Sequence, residues 1–182
     1  MEKKEKRNVS VILDVNGNKI VVINDILFKG KKIDWNEVAE YLKRYVGEFY
    51  TIAEEGETVY IGKELPDEYT RSKYSTVIRG KTEKVKANAV QGLPEMIENA
   101  TGKQHTPNKK QKHKKDAKYG WYKYETRFAI PVFADTGEVE QYKVFRAAMI
   151  IRHGADNKKY IYDIINIKKE TGDLFKSEDP TQ

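Results

Sequence analysis

Three long runs near the C-terminus constrain this chain more than anything else in it. "WYKYETRFAIPVF", "EVEQYKVFRAAMIIRHG" and "YIYDIINIKK" are separated only by "ADTG" and "GADNKK". In the first run Tyr122, Tyr124, Thr126, Phe128, Ile130 and Val132 fall on one face, and Trp121, Lys123, Glu125 and Arg127 on the other. In the second, Phe145, Ala147, Met149 and Ile151 alternate with Tyr142, Val144, Arg146, Ala148, Ile150 and Arg152. A period of two places successive side chains on opposite faces of a strand. Short polar turns between sequential strands give antiparallel neighbours. The second half of the chain therefore reads as an antiparallel β-meander of at least three strands.

The first half reads differently. "VSVILDVNGNKIVVIND" is two β-rich runs around Asn16-Gly17, a strong hairpin signal. In "DWNEVAEYLKRYVGEFY", Asp34 caps a helix with Glu37 three residues on, and Val38, Leu42, Tyr45 and Val46 form a stripe with Tyr41 and Phe49 alongside. Thr58 to Ile61 is a short strand, followed by a loop with Gly62 and Pro66. "TEKVKANAVQGLPEMIENATG" is a second helical region, broken at Gly92, reopened by Pro94 and stopped at Gly102. The fold class is α+β, with an N-terminal hairpin and helices before the meander. The domain plan is a charged tail over residues 1–8, one domain over 9–170 that contains a basic linker at 103–118, and a polar tail over 171–182.

Charge is concentrated in that linker. The chain of 182 residues has a net charge of +6, and the stretch from Lys103 to Lys118 holds seven lysines, two histidines and one acid, Asp116. That stretch alone matches the net charge of the whole protein. Such a local positive field attracts phosphate. Lys109, Lys110, Lys112, Lys114 and Lys115, with Trp121, Lys123 and Arg152 on the polar face of the strands, are the candidate nucleic-acid contacts. With no cysteine, disulfides and thiolate metal sites are excluded. No apolar run nears the roughly 20 residues that cross a bilayer, and "MEKKEKRNVS" lacks the apolar segment of a secretory signal. The expected setting is cytoplasmic, with no membrane partner.

Several chemistries fall away. Gly80-Lys81-Thr82 lacks the upstream glycine of a phosphate loop, and there is no Gly-x-Ser-x-Gly elbow and no metal-ligand spacing. No cofactor is expected. His, Lys, Arg and Tyr remain, a set suited to cutting RNA without a metal. That reaction needs a base for the 2′-hydroxyl proton, cations for the charge on phosphorus and an acid for the leaving oxygen. His113, just ahead of the meander, is the candidate base. His153 ends a strand beside a turn, and His105 lies beside Pro107 in the linker. Arg146 and Arg152 share a face, and Arg127 joins them if the sheet pairs that way. Tyr162 and Lys168 share a face of the last strand with Tyr160, while Asp163 points the other way.

At "VYIGKELPDEYTRSKYS", "HKKDAKYGWYKYETRFAIPVF" and "YKVFRAAMIIRHGADNKKYIYDIINIKKE" the chain resembles small domains of phage and conjugative-element proteins, often fused to large polyvalent proteins of bacterial mobile elements. This likeness covers most of residues 20 to 170. In architecture the chain also resembles the barnase–EndoU–colicin–RelE class of metal-independent nucleases. The resemblance implies a ribonuclease-like domain with His113, Arg127, Arg146, Tyr162 and Lys168 as active-site positions. The competing expectation is a non-enzymatic binding protein, acting in host conflict, whose basic face meets nucleic acid or an acidic host protein surface, for instance as an inhibitor of a host defence protein. RNA is favoured over DNA as the nucleic-acid partner. A third is a structural domain that its lysines merely solubilise.

Overall fold

The turn at Asn16-Gly17 forms as its residues require. Gly17 adopts φ +80°, and the Asp14 carboxylate accepts from the N–H groups of Asn16 and Asn18 at 2.9 Å each. It joins β1 (Val9–Leu13) to β2 (Lys19–Ile23) in an antiparallel hairpin. The computed structural model describes residues 7–72, 75, 80–107, 117–172 and 174–175.

Helix α1 (Trp35–Leu42) starts at the expected cap, where the Asp34 carboxylate accepts from Asn36 N–H at 3.0 Å. It ends sooner than its apolar stripe suggests. A 3-10 turn, Lys43–Tyr45, follows, and Gly47 at φ +90° turns the chain away. Phe49 accordingly lies not on the helix but in β3 (Phe49–Ile52), which pairs with β4 (Glu57–Tyr60). The stretch read as a loop with Pro66 contains helix α2 (Leu65–Arg71), where proline occupies the first turn and forfeits no hydrogen bond. Helices α3 (Lys81–Ala89) and α4 (Leu93–Glu98) fill the second helical region. Gly92 between them is required by packing, since a Cβ there would lie 2.7 Å from Ile23 Cδ1. Gly102 is not a helix stop. It lies in β5 (Thr101–Thr106), where the register of pairing shifts, so the first residues of the expected linker belong to a strand.

The meander is β6 (Trp121–Phe133), β7 (Val139–His153) and β8 (Lys159–Lys169), and it is the centre of the sheet. The strand order is β1-β2-β6-β7-β8-β4-β3, with β5 also on β6. The two N-terminal hairpins are therefore wings. They dock through parallel contacts, β2 on β6 and β4 on β8. The helices cover one face. Phe128, Phe145, Met149, Ile151, Ile161 and Ile164 bury there against Val38, Leu42, Leu93 and Met96. The alternation read from the sequence is reproduced: Phe145 faces this core and stacks on Phe128 at 5.6 Å, while Arg146 is exposed. On the opposite face a small cluster of Ile20, Val22, Ala129 and Val144 is capped by Leu174, whose carbonyl accepts from Val15 N–H at 2.7 Å. Among the described residues no helix is long and apolar enough to cross a membrane.

Candidate nucleic-acid interface

The face away from the helices carries two rows of aromatic and charged side chains. The first follows from the register alone. Phe49 pairs with Tyr60, Tyr60 with Tyr160, Tyr160 with Arg152, and Arg152 with Trp121. Their in-line neighbours Val59, Ile61, Ile161, Ile151 and Tyr122 all pack into or against the helical core, so the row itself lies on the other face. Five adjacent strands thus present Phe, Tyr, Tyr, Arg and Trp in a line. At about 4.8 Å per strand the line is about 19 Å long. Ring centroids are 5.8 Å apart for Phe49–Tyr60 and 6.0 Å for Tyr60–Tyr160. The Arg152 guanidinium lies 4.3 Å from the Tyr160 ring centroid, and Lys158 Nζ lies 5.0 Å from that of Tyr60. Tyr162 joins at the far end, edge-on to Trp121 at 5.1 Å. Lys123, two residues past Trp121 on the same face, is exposed. The Tyr160 hydroxyl donates to Asp156, and that bond leads the causes that push the phenol up to about 12.

The second row is Arg127, Arg146 and Lys168, which are direct cross-strand partners. Arg127 and Arg146 do meet, as the sheet pairing allows. Their donors, however, point at carboxylates. Arg127 reaches Asp14 at 2.8 Å and Glu170 at 3.0 Å; Arg146 reaches Glu125 at 2.8 Å and Glu170 at 2.8 Å. Burial pushes the Asp14 carboxyl up, but Arg127 and the N–H groups of Asn18 and Asn16 outweigh it and hold the group below the usual range. Arg127 and Arg146 line a cavity of about 440 Å³ together with Lys19, Glu54, Glu98 and Glu125. A phosphate entering it would displace existing ion pairs. The row is six residues along β6 from Trp121, about 20 Å at strand rise. Tyr162, Trp121 and Arg152 therefore share one end of the sheet, and Arg127, Arg146 and Lys168 lie apart from them.

The imidazoles are distributed unexpectedly. His113 and Lys109, Lys110, Lys112, Lys114 and Lys115 lie outside the described residues. His105, which the sequence gives no distinction, is oriented by a backbone carbonyl. Its Nε2 donates to the Tyr119 carbonyl at 3.0 Å, which leaves Nδ1 as the basic nitrogen of the neutral ring. Gly120 makes the arrangement possible: it adopts φ +99°, and a Cβ there would come within 2.8 Å of His105 Nε2. His105 also packs on Tyr122 at 4.8 Å, and Tyr122 on His153 at 5.9 Å. His153 Nε2 pairs with Asn157 Oδ1 at 2.7 Å, and its Nδ1 is buried with no hydrogen-bond partner among the described residues. Lys103 and Lys159 reach the Tyr122 ring at 4.8 and 4.3 Å and also grip Glu57. Hydrogen-bonded Lys159, aided by Lys103, holds the Glu57 carboxyl below its usual range. This cluster lies at the same end of the sheet as Trp121 but on the opposite face, because His105 pairs with core-facing Tyr122 while Thr106 pairs with Trp121. The lysine-rich stretch joins two paired strands, and so begins and ends at the Trp121 end of the first row.

Of the residues expected from the sequence, Trp121, Lys123, Arg152 and Tyr162 lie together at one end of this face, and the row continues through Phe49 and Tyr60, for which the sequence carries no expectation of a site. The available signal was weak: an aromatic at each end of a short hairpin, with nothing to place that hairpin beside β8. No group of three or more His, Asp or Glu side chains is disposed to hold a metal among the described residues. No family model, curated protein or solved structure matches the chain.

Proposed function

We propose that this protein engages single-stranded RNA along the Phe49–Tyr60–Tyr160–Arg152–Trp121 row and cleaves it without a metal at the Trp121 end. The register that aligns these five side chains across adjacent strands carries the reading. Aromatic faces interleaved with cations hold unpaired bases by stacking while the cations hold the backbone. The lysines between β5 and β6 add attraction for phosphate where the row ends. His105 lies with Tyr122 on the opposite face of the sheet, so His113, in the lysine-rich stretch, is the candidate base. It takes the 2′-hydroxyl proton as the 2′-oxygen attacks the adjacent phosphorus. The P–O5′ bond breaks, and the leaving oxygen takes a proton from a neighbouring acid. The products are a 2′,3′-cyclic phosphate and a 5′-hydroxyl. This agrees with the ribonuclease-like expectation from the mobile-element resemblance. It shifts the phosphate contacts from Arg127 and Arg146, whose donors are taken, to Lys123 and the lysines between β5 and β6.

The test is incubation with total RNA and with tRNA in chelator, followed by end mapping. Cyclic ends are expected, with a loss of about 10²–10⁴-fold in rate for His113→Ala and little change in affinity. Cleavage that requires magnesium, or full activity in His113→Ala, refutes the mechanism. A second reading, binding without cleavage, is favoured by the carboxylates that occupy Arg127 and Arg146. Tight binding with intact RNA under all conditions selects it.

A further inference from the structure

We infer that Phe49 and Tyr60 form an outer base subsite that sets how long a strand the protein requires. The inference rests on the row being the nucleic-acid surface, and it adds which end measures length. Phe49 is 61% exposed, the highest exposure among the large hydrophobic residues described. It lies on β3, at the margin of the sheet, and packs on Tyr60 with the rings tilted at 46°. A phenyl ring so placed contributes little to the core, yet it extends the row by one station. Tyr60 carries the exposed Lys158 ammonium over its ring at 5.0 Å, so a cation accompanies the second station. Trp121 and Tyr162 hold the opposite end, where Thr106 of β5 pairs with Trp121.

The spacing selects the form of nucleic acid. Rings 5.8 and 6.0 Å apart exceed the roughly 3.4 Å rise of bases in a duplex strand. Bases seated on successive rings must be pulled apart, which pairing forbids. A line of about 19 Å accommodates about four such bases. Every base has a π-face, so the outer station reads length and not sequence. A strand that stops short of Tyr60 gives up two stacking interactions. A strand running past Phe49 gains nothing further from the row.

The test uses 2′-O-methyl oligouridylates of two to eight nucleotides, which present RNA-like strands and lack the attacking hydroxyl. Affinity is read by competition against a fluorescent octamer, at low salt in chelator. Wild-type affinity should climb to about four nucleotides and then level. Phe49→Ala should lose about 5- to 150-fold for the tetramer, the range of one stacked base, and leave the dimer unchanged. Its thermal midpoint should stay at the wild-type value, and Phe49→Tyr should restore tetramer affinity. Equal weakening of dimer and tetramer, or none in either, overturns the outer subsite while the row stands. A ladder with no binding at any length overturns the row and the subsite together. A length dependence that Phe49→Ala leaves intact places the measuring end elsewhere and likewise overturns the proposal.

Discussion

Lys86 on α3 and Asp163 on β8 form a buried ion pair, and removing one partner should be far worse than removing both. Nζ and Oδ1 are 2.8 Å apart, and each side chain is 1% exposed. Oδ1 also accepts from Ile164 N–H at 2.8 Å, whereas Oδ2 is buried and has no hydrogen-bond partner among the described residues. Tyr69 lies beneath the ammonium, 4.9 Å from ring centroid to Nζ, and donates its hydroxyl to the Lys86 carbonyl at 2.7 Å. Burial pushes the Asp163 carboxyl up and the Lys86 ammonium down, against their mutual attraction. Asp163→Leu strands a cation in the core, and Lys86→Met strands an anion; each should cost about 3–5 kcal/mol. For a chain of this size that is about 6–20 °C in thermal midpoint. The double variant should come within about 1 kcal/mol of wild type or exceed it. The pH dependence has a definite sign. Above the ordinary carboxyl value near 4, unfolded Asp163 ionises first, so stability falls as pH rises through the raised native value. Below the ordinary ammonium value near 10.4, unfolded Lys86 takes its proton first, so stability falls as pH drops through the lowered native value. The double variant's margin over wild type should therefore be greatest near neutral pH and shrink toward both extremes. Urea titrations of all four proteins from pH 3 to 11 measure this. Additive single costs, or singles costing under about 1 kcal/mol, refute the account.

Three further outcomes follow from the same geometry. Phe145→Ala should cost about 3–5 kcal/mol because its ring stacks on Phe128 in the core, while Arg146→Ala, with a side chain 53% exposed, should cost well under 1 kcal/mol; denaturant titration in the reverse order would contradict the face assignment. Changing Lys109, Lys110, Lys112, Lys114 and Lys115 to Gln should flatten the salt dependence of RNA affinity by about 0.7 in log–log slope for each phosphate no longer neutralised, with the thermal midpoint unchanged. An unaltered slope would remove the lysines from the interface. Gly120→Ala should cost at least about 1 kcal/mol, since φ is +99° and the new methyl would crowd His105 Nε2 and the Thr106 carbonyl; an NMR titration should show the His105 ring moved from the Tyr119 carbonyl, and an unshifted His105 signal would refute the positioning role.

How much of this was legible in the sequence depends on the range of the interactions involved. The meander and its two faces were readable because alternation is local: Phe145 and Arg146 declare opposite faces as neighbours. Asp34, Asn16 and Gly17 were readable for the same reason, since caps and turns form within a few residues. Phe49 was misplaced because its spacing from Tyr45 fits a helix, and only the backbone turn at Gly47 takes it into β3. The aromatic row was beyond reach because its central link joins Tyr60 to Tyr160 in a parallel contact with no local signal. The acidic lattice was hidden similarly. Asp14 and Glu170 lie far from Arg127 in the chain, yet they decide whether that guanidinium is open to phosphate. An arginine on a polar strand face reads as a phosphate contact until its carboxylates are placed, and an exposed phenylalanine reads as helix core until its strand is. Both errors arise because the pairing of distant strands, and not the residue type, determines what each side chain faces. The site is therefore the part of this protein most dependent on long-range register, and the Phe49 and Tyr60 end of it most of all.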